Sequence, residues 1–327
     1  MSASSVLVTG GAGYIGSHVT RQLVQRGERV IVLDNLSTGF REAVEGAELV
    51  VGDTGDAGLV NDLMQHHAVG TLMHFAAHTV VPESVADPLK YYRNNTNSSR
   101  ILLEACVANG VRQVVFSSTA AVYGEASGDT VAEDSPLNPI NPYGRSKLAT
   151  EWVLEDLATA GELEHLTLRY FNVAGCAPDG RIGQSTPNAT LLIKVAAEAA
   201  VGVRNGMRVF GTDYPTPDGT CVRDFIHVED LADAHVLALD HLRGGGRSLT
   251  LNCGYGHGYS VRDVLTTVER VAGAPLNTTY TNRRPGDPAR LVANADRIRR
   301  HLAWTPKYDD LETIVRTAIA WERNRRY

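Results

Sequence analysis

Six short apolar runs punctuate the first half of the chain, at residues 5–9, 29–34, 48–51, 71–74, 112–117 and 166–170. Continuous apolar runs of this length read as strands buried on both faces rather than as half-exposed ones. Between them lie stretches of helical length and period. One runs from the glycines after residue 9 to Arg26, where Gly27 breaks it; the others cover 56–66, 83–109 and 143–160. Strands alternating with helices build a parallel sheet covered on both sides and joined by right-handed crossovers. The expected fold class is therefore α/β, a doubly wound parallel sheet of the Rossmann type.

The pattern loosens after Gly175. Residues 177–187 are rich in Gly, Pro and polar side chains. Residues 190–202 read as a helix, 207–210 as a strand, 211–220 as turns, and 228–242 as an amphipathic helix stopped by the glycines at 244–246. This predicts a Rossmann-like domain over 1–175 and a smaller mixed α/β domain over 176–327, with the helix 228–242 free to pack back on the first. A length of 327 residues also suggests two domains.

Composition narrows the class of partner. With 43% hydrophobic and 21% charged residues the chain is an ordinary globular one, not a disordered or fibrous one. No apolar run nears the roughly 20 residues of a membrane span, and the start lacks the basic stretch of a secretory signal. A formal net charge of -6 argues against a general nucleic-acid or membrane-surface binder. Cys106, Cys176, Cys221 and Cys253 are scattered and form no CxxC pair, so neither a metal site nor a disulfide framework is expected. A reducing cytoplasm fits.

Chemistry enters at the first turn. Gly10, Gly13 and Gly16 lie between the first strand and the first helix, spaced as a dinucleotide-binding loop. Glycines there allow a tight turn and close approach of a pyrophosphate to the helix N-terminus. Asp34 ends the second strand 18 residues after Gly16, placed to accept from both ribose hydroxyls and to repel a 2′-phosphate; this selects NAD. Asp53, ending the third strand, fits either an adenine contact or a helix cap. Tyr143 and Lys147 stand four residues apart at the start of a helix and face the same way. Thr119 follows the fifth strand, at the end where such sheets bind ligands. A phenol is a poor base near neutrality, so Tyr143 needs the lysine ammonium and the cationic nicotinamide ring beside it.

The combination resembles the extended short-chain dehydrogenase/reductase family, and most of all its members that invert C4 of UDP-hexoses. The stretches that carry the likeness are GGAGYIGSH (10–18), LDNLSTG (33–39), HFAAHTVVPESV (74–85), YYRNN (91–95), SSTAAVYG (117–124), NPYGRSK (141–147), RYFNVAG (169–175), the long run 210–235 and RRPGD (283–287). The resemblance implies that Tyr14, Ile15, Asp34, Asn35, Leu36, Ser37, Thr38, Gly39, Asp53, Thr54, Phe75, Ala76, Ala77, Asn94 and Phe171 line an NAD site. It implies that Tyr143 is the acid/base, that Lys147 binds the nicotinamide ribose and tunes Tyr143, and that Thr119 touches the sugar. Asn172 holds the sugar and diphosphate on this reading, although it also suits a turn. Arg208, Val209 and Phe210 hold the uracil, Arg223 and Arg284 the phosphates, and Asp287 the uridine ribose. The alternative for each arginine is a surface ion pair.

Three positions depart from the family pattern. Thr79 stands where many relatives carry a lysine. Thr190, beside Leu191, stands where they carry Asn or His near the diphosphate. Leu291 stands where they carry either a large Tyr or a small Cys at the sugar pocket. The activity implied is interconversion of UDP-galactose and UDP-glucose with bound NAD, by a homodimer pairing the segments 83–109 and 143–160. A dehydratase of the same family needs an acid and base after Thr119, where this chain has Ala120 and Ala121. A non-catalytic NAD-binding regulator on the same fold is the rival from another class.

Overall fold

The computed structural model describes residues 4–125, 128–284 and 287–327. Pro285 and Gly286 of the RRPGD stretch lie outside the described residues. Seven strands form one large sheet: β1 Ser5–Thr9, β2 Val30–Asp34, β3 Glu48–Val51, β4 Val69–His74, β5 Gln113–Thr119, β6 Glu164–Tyr170 and, after four strands that lie elsewhere, β11 Leu249–Cys253. Those four are β7 Asn172–Ala174, β8 Met207–Phe210, β9 Val222–Arg223 and β10 Phe225–His227; β12 Tyr259–Ser260, β13 Thr278–Thr281 and β14 Arg290–Leu291 complete the set. The order across the large sheet is β11-β6-β5-β4-β1-β2-β3. Chain order reverses between β1 and β4, the switch point at which open parallel sheets bind ligands beyond their C-terminal ends. β1 pairs with β2 and with β4 in parallel, as β2 does with β3 and β4 with β5.

The apolar runs behave as buried parallel strands should: every residue of β1 and β2 is buried. On one face Leu7, Ile31, Leu33, Leu72, Val114 and Phe116 pack against Val60, Leu63, Met64, Leu102, Leu103 and Leu154 of the covering helices. Each such side chain contributes about 1.5–3 kcal/mol by leaving water. The platform under the strand ends is thus rigid, and chemistry is left to the loops.

Two expectations are corrected. The segment 83–109 is not one helix. It is broken into Val81–Ala86, Pro88–Tyr91, a π-helical turn Tyr92–Asn97 and the helix Ser98–Ala108. Pro88 cannot continue the preceding helix, and Asp87 caps a new one through the Lys90 N–H. Leu249–Cys253, which the sequence assigns with the rest of 176–327 to the smaller domain, joins the large sheet beside β6.

Packing divides the chain into two units. The first holds Met1–Val122, Pro139–Arg169 and Ala232–Leu251; the second holds Tyr123–Asn138, Tyr170–Leu231 and Asn252–Tyr327. The sequence suggests one boundary at 175, whereas each unit takes three segments of chain. The helix Val228–Arg243 begins in the second unit and runs into the first. There its ion pairs Asp240–Arg26 and Arg243–Glu28 tie it to the end of the first helix and the turn that follows. The second unit carries the small sheets, in the orders β10-β7, β12-β9-β14 and β13-β8.

Candidate active site

In the first unit, the loops at the C-terminal ends of β1 to β4 pack on one another through glycines. Gly10 has φ +71°, and a Cβ on it would lie 2.6 Å from the Ala76 nitrogen. A Cβ on Gly16 would lie 2.2 Å from the Gly10 carbonyl oxygen. Only glycine fits either place. The result is a tight turn, closed by the Gly13 N–H on the Gly10 oxygen (3.1 Å), that leads into the helix Tyr14–Gln25. No side chain caps that helix and no acid stands in its first turn. Its leading N–H groups and positive end are therefore suited to an anion.

Asp34 is buried at the end of β2. Its carboxylate accepts the Ala12 N–H (2.9 Å) and the Leu36 N–H (2.8 Å), which fix its orientation. Two oxygens offer about four acceptor sites, so capacity remains for a ribose. Burial nevertheless holds this carboxyl above its ordinary range, against those N–H bonds. Leu36 adopts φ +58°, Ser37 bonds back to Asn35, and Phe40 bonds to the Ala12 carbonyl; the loop carrying Thr38 and Gly39 is thereby laid against the glycine turn. Asp53 makes a turn through the Gly55 N–H and holds the Asn35 amide (3.1 Å), while Asp56, not Asp53, caps the next helix. Thr54 is buried behind it. Phe75 packs on His235 (4.8 Å between ring centres), beside half-buried Ala76 and Ala77. Asn94 lies on the π turn and donates to Asn95. Tyr14 and Ile15 are half-buried at the helix start, whereas Thr79 is exposed. A cradle that only glycine can form, an uncapped helix end and a buried acceptor for a diol suit NAD.

The same edge carries the titrating groups. Asn141 caps the helix Pro142–Thr159 through the Gly144 N–H (2.9 Å), with Pro142 at its first position. A Cβ on Gly144 would come within 2.6 Å of the Ala121 carbonyl oxygen. This close approach brings Tyr143 to the end of β5, where its hydroxyl hydrogen-bonds Thr119. Thr119 also accepts the Ala121 N–H (3.1 Å). Burial pushes the Tyr143 phenol above its usual range, and the Thr119 bond only partly opposes it. One turn on, Lys147 is 2% exposed, with its ammonium 4.6 Å from the centre of the Phe116 ring. Burial pulls it down to about 7 although Glu151 raises it. The lysine expected to supply a positive charge is thus itself near its titration point in the protein alone.

Sequence reading missed what lies beneath. Glu151 accepts from Ser118 and from the Arg169 guanidinium, at 3.2 and 3.1 Å for Nε and 2.7 Å for Nη2, with all three side chains buried. Removing one partner of such a pair costs about 3–5 kcal/mol, since the other charge is left buried alone. The available signal was Glu151 at one more helical turn from Tyr143 and Lys147. His74 was missed too: its ring bonds Thr9 (2.6 Å) and Ser99 (2.7 Å), and burial, then Lys147, lower it to about 3. Asn95 clamps His78 by both backbone groups and donates to Ser146, fastening the π turn to the helix Pro142–Thr159.

The second unit gathers the other candidates. Arg284 lies over the Phe210 ring (4.2 Å) and Arg208 more distantly over the same ring (5.9 Å). Arg284 forms no ion pair among the described residues. Its neighbour Arg283 is the surface ion pair, with Asp213 at 2.8 Å. Val209 is buried on β8. Arg223 on β9 reaches Asp287 at 3.7 Å. Leu291 on β14 stands in register with Arg223. Asn172 lies in β7 rather than in a turn, its N–H on the Asp224 carbonyl (3.0 Å), and Phe171 before it is buried. Thr190 and Leu191 are exposed just ahead of the helix Leu192–Ala200.

Residues 6–254 match the model of the NAD dependent epimerase/dehydratase family. The chain belongs to that family. It is 58% identical over 320 residues to the UDP-glucose 4-epimerase of Azospirillum brasilense, covering 98% of this chain and 92% of that one. The UDP-glucose 4-epimerase of Brucella ovis, solved in complex with NAD, superposes with a TM-score of 0.95 at 44% identity, covering 97% and 98% of the two chains. The UDP-Glc/GlcNAc 4-epimerase of Campylobacter jejuni does so with 0.87 at 47% identity, covering 98% and 100%. The fold class read from the sequence and the choice of NAD agree with these relatives.

Proposed function

We propose that the protein interconverts UDP-galactose and UDP-glucose by inverting C4 of the hexose, with NAD held throughout turnover. The observation that carries this reading is the junction of Thr119, Tyr143 and Lys147 at the same sheet edge as the glycine cradle and Asp34. Its close relatives are epimerases of this name. We assign NAD to residues of the first unit and Phe171, the reacting sugar carbon to Thr119 and Tyr143, and the rest of the nucleotide-sugar to residues of the second unit.

When bound, NAD accepts a hydride from sugar C4 and returns it to the other face. The chain does the rest. Tyr143 takes the proton of the 4-hydroxyl through its phenolic oxygen and later gives one back. Thr119 holds that oxygen and the sugar hydroxyl in line. Lys147 supplies positive charge to the phenolate and binds the nicotinamide ribose. Because burial holds Tyr143 protonated in the protein alone, the phenolate depends on the cations brought near it. Arg223 and Arg284 hold the diphosphate with planar paired donors. Stacking on Phe210 uses the face of Arg284 and leaves its N–H fork for a phosphate. Phe210 with Arg208 and Val209 takes the uracil, Asp287 the ribose, and Asn172 the sugar side. Firm phosphate grips let the 4-ketose turn over without leaving. Ala120 and Ala121 bring no acid or base, which removes the dehydratase alternative.

The test is incubation of purified protein with UDP-galactose, without added NAD, and chromatography of the products. UDP-glucose without accumulating NADH is expected; NADH equal to product makes the protein a dehydrogenase, and tight NAD without turnover of either sugar makes it a regulator. We expect Leu291, in register with Arg223, to limit a 2-acetamido group, and so expect weaker epimerisation of UDP-N-acetylglucosamine than of UDP-glucose. Leu291→Tyr should lose that activity and keep the plain one; parallel loss of both assigns Leu291 to packing. A homodimer is supported by apolar side chains left in water, Val85, Leu89 and Trp152 at 63%, 71% and 60% exposure, on the helices expected to pair. A monomer in sedimentation at assay concentration removes it. The four buried free cysteines suit a reducing cytoplasm, and among the described residues no helix is long and apolar enough to cross a membrane.

A further inference from the structure

Tyr143, Lys147 and Glu151 follow one another at four-residue spacing on one face of the helix Pro142–Thr159, and all three are buried. The chemistry above uses the first two. Glu151 has no part in it, yet Ser118 on β5 and Arg169 on β6 converge on its carboxylate. We propose that Glu151, clamped by these two residues, is a positioning residue that keeps Lys147 protonated and so sets the pH range in which Tyr143 exchanges its proton. This rests on the roles given above to Tyr143 and Lys147.

The surroundings of Lys147 leave few other sources of that control. β5 offers the Phe116 ring, which has no net charge. β4 offers His74, whose nitrogens are both engaged and which stays neutral across the working range. The helix itself offers Tyr143, held as the phenol by burial. β6 offers Arg169, of the same sign as Lys147, its charge turned onto Glu151. The anion that favours the ammonium is Glu151. The clamp explains why so long a side chain stays in place: without Ser118 and Arg169 a buried carboxylate takes a proton and its field vanishes. With Lys147 at about 7, even a modest change in that field alters the charged fraction at neutral pH.

The test follows the Lys147 Nζ directly. The chain has only four lysines, Lys90, Lys147, Lys194 and Lys307, so ¹⁵N-lysine-labelled protein with its bound NAD gives a resolvable titration, assigned with Lys147→Met. Glu151→Gln should lower the Nζ midpoint by about 1–3 pH units and move the alkaline limb of the kcat profile down with it. Arg169→Met, which leaves the buried carboxylate without its charged partner so that it takes a proton, should lower both as well. Should Glu151→Gln strand Arg169 and fail to fold, the neutral pair Glu151→Gln/Arg169→Met takes its place and should lower the midpoint too. A merely structural ion pair shifts neither quantity, and an unmoved midpoint in Glu151→Gln overturns the inference. Full turnover in Lys147→Met overturns the underlying reading together with this one. Lost turnover in Lys147→Met with an unmoved midpoint in Glu151→Gln overturns this one alone.

Discussion

Tyr143 meets two opposed demands. In the proposed reaction its oxygen accepts a proton at neutral pH, yet its burial raises its proton affinity. Thr119 relieves only part of this, so the remainder falls to positive charge at Lys147 and on the cofactor. Tyr143→Phe should therefore lower kcat by at least about 100-fold, the usual contribution of acid–base catalysis, while NAD content and UDP binding persist because the ring stays. Near-normal turnover would remove Tyr143 from the chemistry. Arg284 makes the complementary case in the second unit. Losing a charged hydrogen bond to phosphate costs about 1.5–3 kcal/mol, so Arg284→Leu should raise the KM for UDP-sugars roughly tenfold or more and leave bound NAD unchanged. An unaltered KM would reduce Arg284 to a stacking partner of Phe210. Adjacent Arg283 shows how little sequence separates the two kinds of arginine: both stand in RRPGD, and only the fold shows that one is spent on Asp213.

Among elements, the alternating strands and helices of the first half were readable because buried parallel strands need unbroken apolar runs. The breaks in 83–109 were less so. Asp87 and Pro88 announce one of them, but the π turn at Tyr92–Asn97 arises from tertiary bonds, with Asn95 and Thr96 tied to Ser146 on another helix. No local pattern records such a bond. The glycines divide in the same way. Gly10, Gly13 and Gly16 can be recognised by spacing, whereas Gly144 shows its purpose only beside Ala121. Gly144→Val should push the start of the catalytic helix away from β5. A misplacement of about 1 Å can cost 100-fold in rate, so a large fall in kcat with retained NAD is expected. A variant with unchanged kcat would mean that the helix start does not need that close approach.

At the scale of the whole molecule, the two sets of candidate residues were unequally legible. The residues proposed for the cofactor cluster at the ends of consecutive strands, so a motif, a period and a carboxylate locate them together. The residues proposed for the nucleotide-sugar are spread from Asn172 to Leu291, and only family likeness joined them. Discontinuity of the units has the same origin: the helix Val228–Arg243 leaves one and enters the other without any change in its own pattern. In the proposed reaction one hydride leaves C4 and returns to it inside a single protein molecule. UDP-galactose deuterated at C4, turned over in ordinary water without added NAD, tests this directly. The UDP-glucose formed should keep the deuterium at C4; loss of the label to water, or its recovery in free NADH, would contradict it.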